Sequence, residues 1–338
     1  MRLVDIESVE PGQVLGKTIY SANGTVMLAQ GVQLTVYMIS QLKRLGVTML
    51  YIQDPDFADV TVEDPISDET KRMVIRQLAE TFDSIRSGKP FSAKAISGTV
   101  DRLIGDIMEN QDVQLHLSDI RTHDNAAYLH AINVCAASVM IGLNLGYNMQ
   151  QLKELAIGAL LHDIGKIDAQ DDEEGRNHHA WRGFDTLKNN REFGLLVAHV
   201  ALQHHEHVDG TGQPRGLASD QIHPYAKITA VANTYDNLLH PADGGRVLPH
   251  EAVETLNACS GTKLDHEILV QFNRFVSIYP NGISVRLSNR QTGVVVGQHR
   301  GLPGRPVVRV LAREDDDVRA EEIDLARHPT LFIEAVLS

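Results

Sequence analysis

The chain has 338 residues, 43% of them hydrophobic and 22% charged, which is enough for two or three globular domains with a sizeable core. Its 31 basic and 44 acidic residues give a formal net charge of −13. This balance argues against DNA, RNA or an anionic membrane as a partner, because each needs a basic face. We find no signal peptide and no run approaching the roughly 18 apolar residues of a spanning helix. The two cysteines, Cys135 and Cys259, have no metal or disulfide spacing, so we expect a cytoplasmic protein.

Residues 1–65 have the pattern of a small α/β unit. Two β-prone runs flank Asn23-Gly24, a hairpin signal because both turn residues must tolerate positive φ. A helix is predicted over 35–45, stopped by Gly46, with a strand over 47–52. The stretch 54–65, rich in aspartate and proline, is predicted to be a linker.

Residues 66–125 are predicted to form a helical connector. Ser67 is a suitable N-cap for a first helix, and the break at 88–90 precedes a second. Each carries an apolar stripe at helical spacing: Val74, Leu78, Phe82 and Ile85 on the first, and Ile96, Val100, Leu103 and Ile107 on the second. Packing within the chain is the favoured explanation of these stripes, and a homodimer through helices in 67–110 is the alternative.

The remaining chain changes character at about residue 278. Residues 126–277 are patterned mostly as helices, whereas 278–338 contain three short β-branched runs, at 285–287, 294–296 and 307–311, separated by glycine and proline. The predicted fold class is therefore mainly α, with a helical domain at 126–277 between a small N-terminal α/β unit and a small C-terminal β subdomain.

Histidines are concentrated in one part of the helical domain. Eight of the sixteen fall between His162 and His223. An apolar, buried helix over 151–161 delivers His162 and Asp163 at its C-terminal end, where two polar groups are costly unless neutralised. A divalent cation would neutralise them. A His-Asp hydrogen-bonded pair explains them equally well.

Three further elements supply candidate metal ligands. His204 and His205 lie at a predicted helix end, where neighbouring imidazoles reach one site only if it holds two ions or if the helix stops there. His130 lies on an apolar helix, and His179 begins the run HAWRGF at 179–184, with neighbouring His178 as a weaker alternative. Four such elements in this order are more specific than any one of them.

Together these motifs resemble the HD-GYP phosphodiesterase family of the HD superfamily. The motifs are His130, LLHDIGK at 160–166, His179 with Gly183-Phe184, and QHHEHVDGTGQP at 203–214. The resemblance covers about 126–275, and the α/β unit and a "YP-G" β tail at 279–282 also accompany some members. It implies a helical metal domain that hydrolyses cyclic dinucleotides, chiefly cyclic di-GMP, to linear pGpG or GMP.

The resemblance also implies roles for individual residues. One divalent ion would be held by His130, His162 and Asp163, and the other by Asp163, His179, His204 and His205. Iron or manganese is expected, with zinc, nickel or magnesium as alternatives. Catalysis would depend on Asp163 and on Lys166, which would approach the substrate phosphate. Further substrate contacts are expected in the 209–212 loop and after the last ligand, at Asp209, Gly210, Gly212 and Arg246.

The sequence departs from the family pattern in several places. Asn233 occupies the position of a ligand aspartate. Its carbonyl oxygen can still serve as a metal ligand, but the lost charge weakens binding of a transition metal at the first site. Gln213 replaces the tyrosine of the GYP signature, and of an arginine-rich stretch only Arg246 remains. Ala126 stands where some relatives carry a third-metal glutamate, so we predict no more than two ions.

Three hypotheses follow for the function. The first is a cyclic di-GMP phosphodiesterase that tolerates Asn233. The second is a catalytically impaired member that binds metal or cyclic dinucleotide and signals through partners. The third is a hydrolase of another phosphate ester, suggested by Gln213 and the lost arginines. Retention of the other ligands and Lys166 favours metal binding without deciding between catalysis and signalling.

Overall fold

A computed structural model of the chain describes residues 1–116, 119–167, 178–241, 247–314 and 317–337. Its α-helices are α1 (Val36–Arg44), α2 (Asp68–Arg86), α3 (Ala93–Glu109), α4 (Ala126–Asn144), α5 (Met149–Leu160), α6 (His179–Asn189), α7 (Leu195–Gln203), α8 (Pro224–Leu239), α9 (Pro249–Ala258) and α10 (His266–Phe272). Its strands are β1 (Arg2–Asp5), β2 (Ile19–Tyr20), β3 (Val26–Leu28), β4 (Met49–Ile52), β5 (Ser284–Leu287), β6 (Thr292–Gly297), β7 (Val307–Glu314), β8 (Asp317–Asp324) and β9 (Ile333–Leu337). The predicted fold class, mainly helical with small units at both ends, is confirmed.

The N-terminal unit forms as its turn signals predict. Strands β2 and β3 pair around Asn23-Gly24, where Gly24 has a φ of +73°. Helix α1 begins after Thr35, whose hydroxyl accepts a hydrogen bond from the backbone N–H of Met38. It ends before Gly46, which has a φ of +84°. Strand β4 then returns to pair antiparallel with β1.

The two connector helices pack on their own chain. Ser67 caps α2 as predicted, accepting a hydrogen bond from the N–H of Thr70. Val74 and Leu78 of α2 and the predicted apolar stripe of α3 are fully buried in one core with α4 and α5. The favoured explanation of the stripes, packing within the chain, is therefore confirmed. The homodimer through 67–110 stays a prediction, as do the domain boundaries.

Helix α4 is the central helix of this core. It is long and apolar enough to cross a membrane, contrary to our expectation from the sequence, but 78% of its apolar stretch is buried inside the protein. It packs against α5 and α8, and a helix apolar on all sides is expected at the centre of a multi-helix domain. Its position explains its composition and brings His130 into the interior.

The C-terminal residues form an antiparallel sheet in the order β8-β7-β6-β5-β9. The three predicted runs correspond to β5, β6 and β7, whose Val285, Val295 and Val308 are buried. Strands β8 and β9 were not predicted. Strand β8 has the sequence DVRAEEID, and acidic residues on an edge strand hide its β-propensity.

Candidate metal centre

The histidine-aspartate pair lies where α5 stops. His162 follows the last turn of the helix, and its Nδ1 lies 2.7 Å from the carbonyl oxygen of Ala159. The carbonyls of a final turn have no partner within the helix, so Ala159 accepts and Nδ1 must carry the hydrogen. The other nitrogen of His162, Nε2, is thereby left as a lone-pair donor.

His204 is oriented in the same way at the end of α7. Its Nδ1 lies 2.9 Å from the carbonyl oxygen of Ala201, three residues earlier. The Nε2 atom is again left as the ligating nitrogen, and it is buried without a hydrogen-bond partner among the described residues. Two helix ends thus present two imidazoles with the same fixed tautomer.

Asp163 stands between two groups of histidines. Its Oδ2 lies 3.5 Å from the Nε2 atoms of His130 and His162. Its Oδ1 lies 3.5 Å from the Nε2 atoms of His179 and His204. This Oδ1 is buried and accepts no hydrogen bond among the described residues. One carboxylate therefore faces both groups, each with a separate oxygen.

Pairs of imidazole nitrogens face each other within each group. The Nε2 atoms of His130 and His162 are 3.1 Å apart, and so are those of His179 and His205. Two lone pairs at this separation repel unless a proton or a cation lies between them. In the His179 group burial lowers the pKa of His179 to about 3 and that of His205 further. Neutral pH therefore supplies no proton there, and a cation fits.

His130 has a different environment because a second carboxylate supports it. Its Nδ1 lies 2.6 Å from Oδ2 of Asp236 on α8. Burial alone would lower the pKa of His130, but hydrogen bonds to Asp163 and Asp236 raise it to about 9. The other oxygen of Asp236 accepts hydrogen bonds from Arg121 and, at 3.1 Å, from Asn133. This arrangement fixes the ring of His130 so that its Nε2 faces His162 and Asp163, the direction from which it would bind a metal ion.

Sequence reasoning missed Asp236 and Arg121 as parts of the site. Asp236 is fully buried and lies one helical turn after Asn233, and that spacing was the available signal. Arg121 joins it across 115 residues of sequence. Burial would raise the pKa of Asp236, but the charge of Arg121 and the hydrogen bond from His130 hold that pKa well below its usual range.

Two glycines bring α6 close enough to place His179. A Cβ on Gly165 would lie 2.0 Å from the carbonyl oxygen of His179 and 2.6 Å from the backbone nitrogen of Gly183. A Cβ on Gly183 would in turn lie 3.4 Å from the backbone nitrogen of Gly165. The glycine after His162-Asp163-Ile164 is thus required by backbone contact. Neighbouring His178 lies outside both groups, because its Nδ1 caps α6 by accepting from the N–H of Ala180.

The loop after His205 is held by a buried carboxylate. Glu206 accepts hydrogen bonds from the backbone N–H groups of Arg215 and Leu217, at 2.9 and 2.8 Å. A Cβ on Gly212 would lie 2.2 Å from the backbone nitrogen of His207. Asp209 caps its own turn by accepting from the N–H and hydroxyl of Thr211. Gly210 has a φ of +81°. Each of these residues has a conformational role within the loop.

The remaining predicted residues have distinct positions. Lys166 is half exposed, and its Nζ lies 2.7 Å from Oδ2 of Asp163. Asn233 is buried on α8, and its Oδ1 accepts a hydrogen bond of 2.9 Å from Nδ2 of Asn237. Arg246 lies outside the described residues. Ala126 is the first residue of α4, one turn before His130.

The donor sets fit divalent metal ions on the chemistry of the groups present. The ligand atoms of His130, His162 and Asp163 all lie within 4.8 Å of one another, and so do those of Asp163, His179, His204 and His205. Imidazole nitrogens with a carboxylate oxygen suit iron, manganese, zinc or nickel. The unpartnered Oδ1 of Asp163 and Nε2 of His204 are the buried atoms that a cation would satisfy.

Two family models match the chain, one over the helical domain and one over the C-terminal sheet. The HD domain model matches residues 109–268, and a KOW domain associated with HD domain matches residues 284–338. A solved structure, the HDG"Y"P protein Bd1817 from Bdellovibrio bacteriovorus, is similar over 80% of this chain and 97% of its own, with a TM-score of 0.52 and 19% identity. This structural similarity supports the fold. The family-model match shows that the chain contains an HD domain.

Curated relatives narrow the family. The cyclic di-GMP phosphodiesterase PA4108 of Pseudomonas aeruginosa is 30% identical over 262 residues, 73% of this chain and 63% of its own length. A cyclic di-GMP phosphodiesterase of Thermotoga maritima is 29% identical over 182 residues, 49% of this chain and 48% of its own length. The matches thus span about half to two thirds of these relatives. Together with the HD domain match, these relatives support an HD-GYP protein.

Proposed function

We propose that this protein is a metal-dependent phosphodiesterase that hydrolyses cyclic di-GMP to pGpG or GMP. The observation that carries the proposal is Asp163, whose two oxygens each face a separate group of histidines at 3.5 Å. Two divalent cations, iron or manganese before zinc, nickel or magnesium, would activate a water molecule and neutralise phosphoryl oxygens. The relatives named cyclic di-GMP phosphodiesterases support this substrate.

The chain's own residues divide the work of the site. His162 and His204 hold their Nε2 lone pairs in place through hydrogen bonds to helix-end carbonyls. Asp163 would contribute one oxygen to each position, and His130, His179 and His205 would supply the remaining ligands. Lys166 is half exposed beside Asp163 and can turn its ammonium toward a substrate phosphate. We also propose that the substrate contacts Asp209, Gly210, Gly212 and Arg246. We expect the protein to be cytoplasmic and to have no nucleic-acid or membrane partners.

A second function is favoured by the environment of Asn233. Its amide oxygen, which would have to replace a carboxylate as a ligand, already accepts a hydrogen bond from Asn237. A neutral oxygen engaged in this way is a weak metal ligand. The alternative is therefore a catalytically impaired protein that binds metal and cyclic dinucleotide and signals through that binding.

One assay separates the two functions. Manganese-loaded wild type is incubated with cyclic di-GMP and the products are resolved by chromatography, beside Asn233→Asp. Asn257→Asp is the matched control, because Asn257 is exposed on α9, a helix that supplies no residue to either group of histidines around Asp163. We expect wild type to release pGpG, Asn233→Asp to be faster by up to about tenfold because a charged ligand binds the ion more strongly, and the control to match wild type.

Three outcomes would change the assignment. An inert wild type with an active Asn233→Asp would establish the signalling alternative. If both proteins leave cyclic di-GMP intact but cleave 3′3′-cGAMP or bis(p-nitrophenyl) phosphate, then the substrate is wrong and the chemistry is right. If none of these esters is cleaved by any of the three metal-loaded proteins, the phosphodiesterase proposal fails.

A further inference from the structure

A cavity lies where several separate regions of the chain meet. It has a volume of about 340 Å³, within the range of about 300–1,000 Å³ that is common for small-molecule sites. Its walls come from the N-terminal unit at Met49, from residues 116 and 119–126, from the end of α8 and start of α9, and from Ser277 and Pro280. Ligand sites often form at such junctions.

Most of the cavity wall is apolar. Leu239, Val247 and Leu248 contribute aliphatic side chains on one side, and Met49 contributes one from the N-terminal unit. Prolines and aromatic or imidazole rings also line the cavity, and they are Pro241, Pro249, Pro280, His116, His123 and Tyr235. Such rings favour a planar ligand, because ring systems pack closely against other flat groups.

The charged groups of the wall already have partners. Asp119 accepts a hydrogen bond of 2.6 Å from Lys71, and Arg121 is paired with Asp236. Burial lowers the pKa of His116 to about 4, so this imidazole is neutral at physiological pH. Among the described residues the wall therefore offers no unpaired charge to attract an ionic ligand.

Hydrogen-bonding capacity nevertheless remains around the cavity. His116 is 8% exposed and Ser277 is 1% exposed, and both line it. The Nδ1 atom of His116, the Oγ atom of Ser277 and the Nε atom of Arg121 are buried without hydrogen-bond partners in the described part of the chain. Buried polar atoms normally have partners, and a molecule with a few polar edge atoms would supply them after small shifts of these side chains.

The cavity is linked to the metal centre by direct contacts. Arg121 lines the cavity and also donates to Asp236, which holds Nδ1 of His130 at 2.6 Å. Ala126 lines the cavity one helical turn before His130 on α4. A ligand that moves Arg121 therefore acts on a metal ligand through a single carboxylate.

The same segment is tied to the N-terminal unit. The N–H of His123 donates to the carbonyl of Leu45 at 2.9 Å, and its ring packs over Gly46, where a Cβ would lie 2.6 Å from the imidazole. Asn125 donates to the carbonyl of Tyr20 at 2.7 Å. The N-terminal unit thus forms one wall of the cavity and holds the segment that reaches the metal centre.

From these contacts we propose that the junction cavity binds an uncharged heteroaromatic molecule no larger than a nucleoside, at a site separate from the substrate, and that its occupancy changes metal affinity through Arg121 and Asp236. The apolar walls would pack against the ring of the ligand. The unpartnered polar atoms would form hydrogen bonds with polar atoms at the edge of that ring. Coupling of this kind is reciprocal, so a bound metal changes the affinity for the heteroaromatic molecule by the same factor.

The test measures binding and needs no catalysis. Adenosine and indole are the probes and myo-inositol is the non-aromatic control, each titrated into the full-length chain with ligand-observed NMR. Met49→Trp fills the cavity from the N-terminal side and Val247→Trp fills it from the opposite side. Met149→Trp is the matched control, because Met149 is 51% exposed at the start of α5. Thermal unfolding checks that every variant is folded.

We expect at least one probe to bind wild type and Met149→Trp with equal affinity, and both filling variants to weaken it at least tenfold. Mn²⁺ affinity should change at least threefold when the probe saturates wild type and should not change in a filling variant. Equal binding by folded Met49→Trp and Val247→Trp, binding of myo-inositol as tight as that of the probes, or no binding at millimolar concentration would overturn the site.

Two further results test whether the cavity is separate from the substrate site and whether it is coupled to the metal centre. Competitive displacement of the probe by cyclic di-GMP would assign the cavity to the substrate and overturn a separate site. Probe binding that leaves Mn²⁺ affinity unchanged would overturn the coupling. Because neither readout depends on hydrolysis, a failure of this inference is distinguishable from a failure of the phosphodiesterase proposal.

Discussion

The two sides of Asp163 show two ways of preparing a histidine for a metal ion. On the Oδ1 side, burial keeps His179 and His205 neutral, and His204 is held by a helix-end carbonyl. On the Oδ2 side, His130 is held by a buried carboxylate that is itself paired with Arg121. The first side is fixed by local structure, whereas the second depends on charge delivered from a distant segment. We therefore expect the Oδ1 side to bind metal robustly and the Oδ2 side to be adjustable.

The largest effect is expected from Asp163→Asn. This substitution should weaken metal binding on both sides of the residue and so remove the contrast between them. Loss of an outer-shell partner costs about 10–100-fold in metal affinity, so loss of a bridging charge should cost more than about 100-fold at each position. Bound manganese, measured by elemental analysis after dialysis, should fall from two ions per chain to none. Asp106→Asn is the control, because Asp106 is a buried carboxylate that binds Ser67. Retention of one tightly bound ion by Asp163→Asn would contradict the shared bridge.

Asp236→Asn should affect one side alone. It removes the charge that orients His130 and should weaken the Oδ2 position by about 10–100-fold without changing the Oδ1 position. Titration with Mn²⁺ should then show one site at wild-type affinity and one weakened site. Arg121 loses its partner in this variant, so thermal unfolding is measured in parallel. Equal weakening of both sites in a folded variant would show that the two sides are not independent.

The contrast between the two sides of Asp163 also explains which site residues could be predicted from the sequence. The histidines at helix ends were predictable, because an apolar helix pattern that stops at a polar pair fixes both the helix and its last residue. The tautomers of His162 and His204 follow from the same local structure, since each contacts a carbonyl three residues earlier. Local pattern was therefore sufficient for His204 on the Oδ1 side and for His162 on the Oδ2 side.

The support of the Oδ2 side could not be obtained in that way. Arg121 and Asp236 meet across 115 residues, and no local spacing encodes a contact formed only when the connector segment packs on α8. Strand β8 was missed for a related reason. Its pairing with β7 stabilises an acidic sequence whose own preference for strand is weak.

A pH titration should separate the two sides without mutation. In the metal-free protein the pKa of His130 is raised to about 9, so its Nε2 carries a proton at pH 7 that a metal ion must displace. Apparent affinity at the Oδ2 position should rise about tenfold per pH unit from 7 to 9 and then level off. The pKa of His179 is lowered to about 3, so the Oδ1 position should be independent of pH over this range. Calorimetric Mn²⁺ titrations in buffers of different ionisation enthalpy would count the released protons, and parallel pH slopes at the two positions would refute the distinction.

The smallest effect is expected from Lys166→Met, and its direction is the informative part. The Lys166 ammonium lies 2.7 Å from Oδ2 of Asp163 and is half exposed, so this ion pair contributes no more than about 1 kcal/mol. Because the ammonium competes with a cation for that oxygen, its removal should raise Mn²⁺ affinity at the Oδ2 position by less than about fivefold and leave the Oδ1 position unchanged. If Lys166 also binds the substrate phosphate, cyclic di-GMP hydrolysis should fall in the same variant while metal binding improves. Lys153→Met, which breaks a surface pair with Asp101, should change neither quantity. A fall in both metal affinity and hydrolysis would instead mean that Lys166 maintains the position of Asp163.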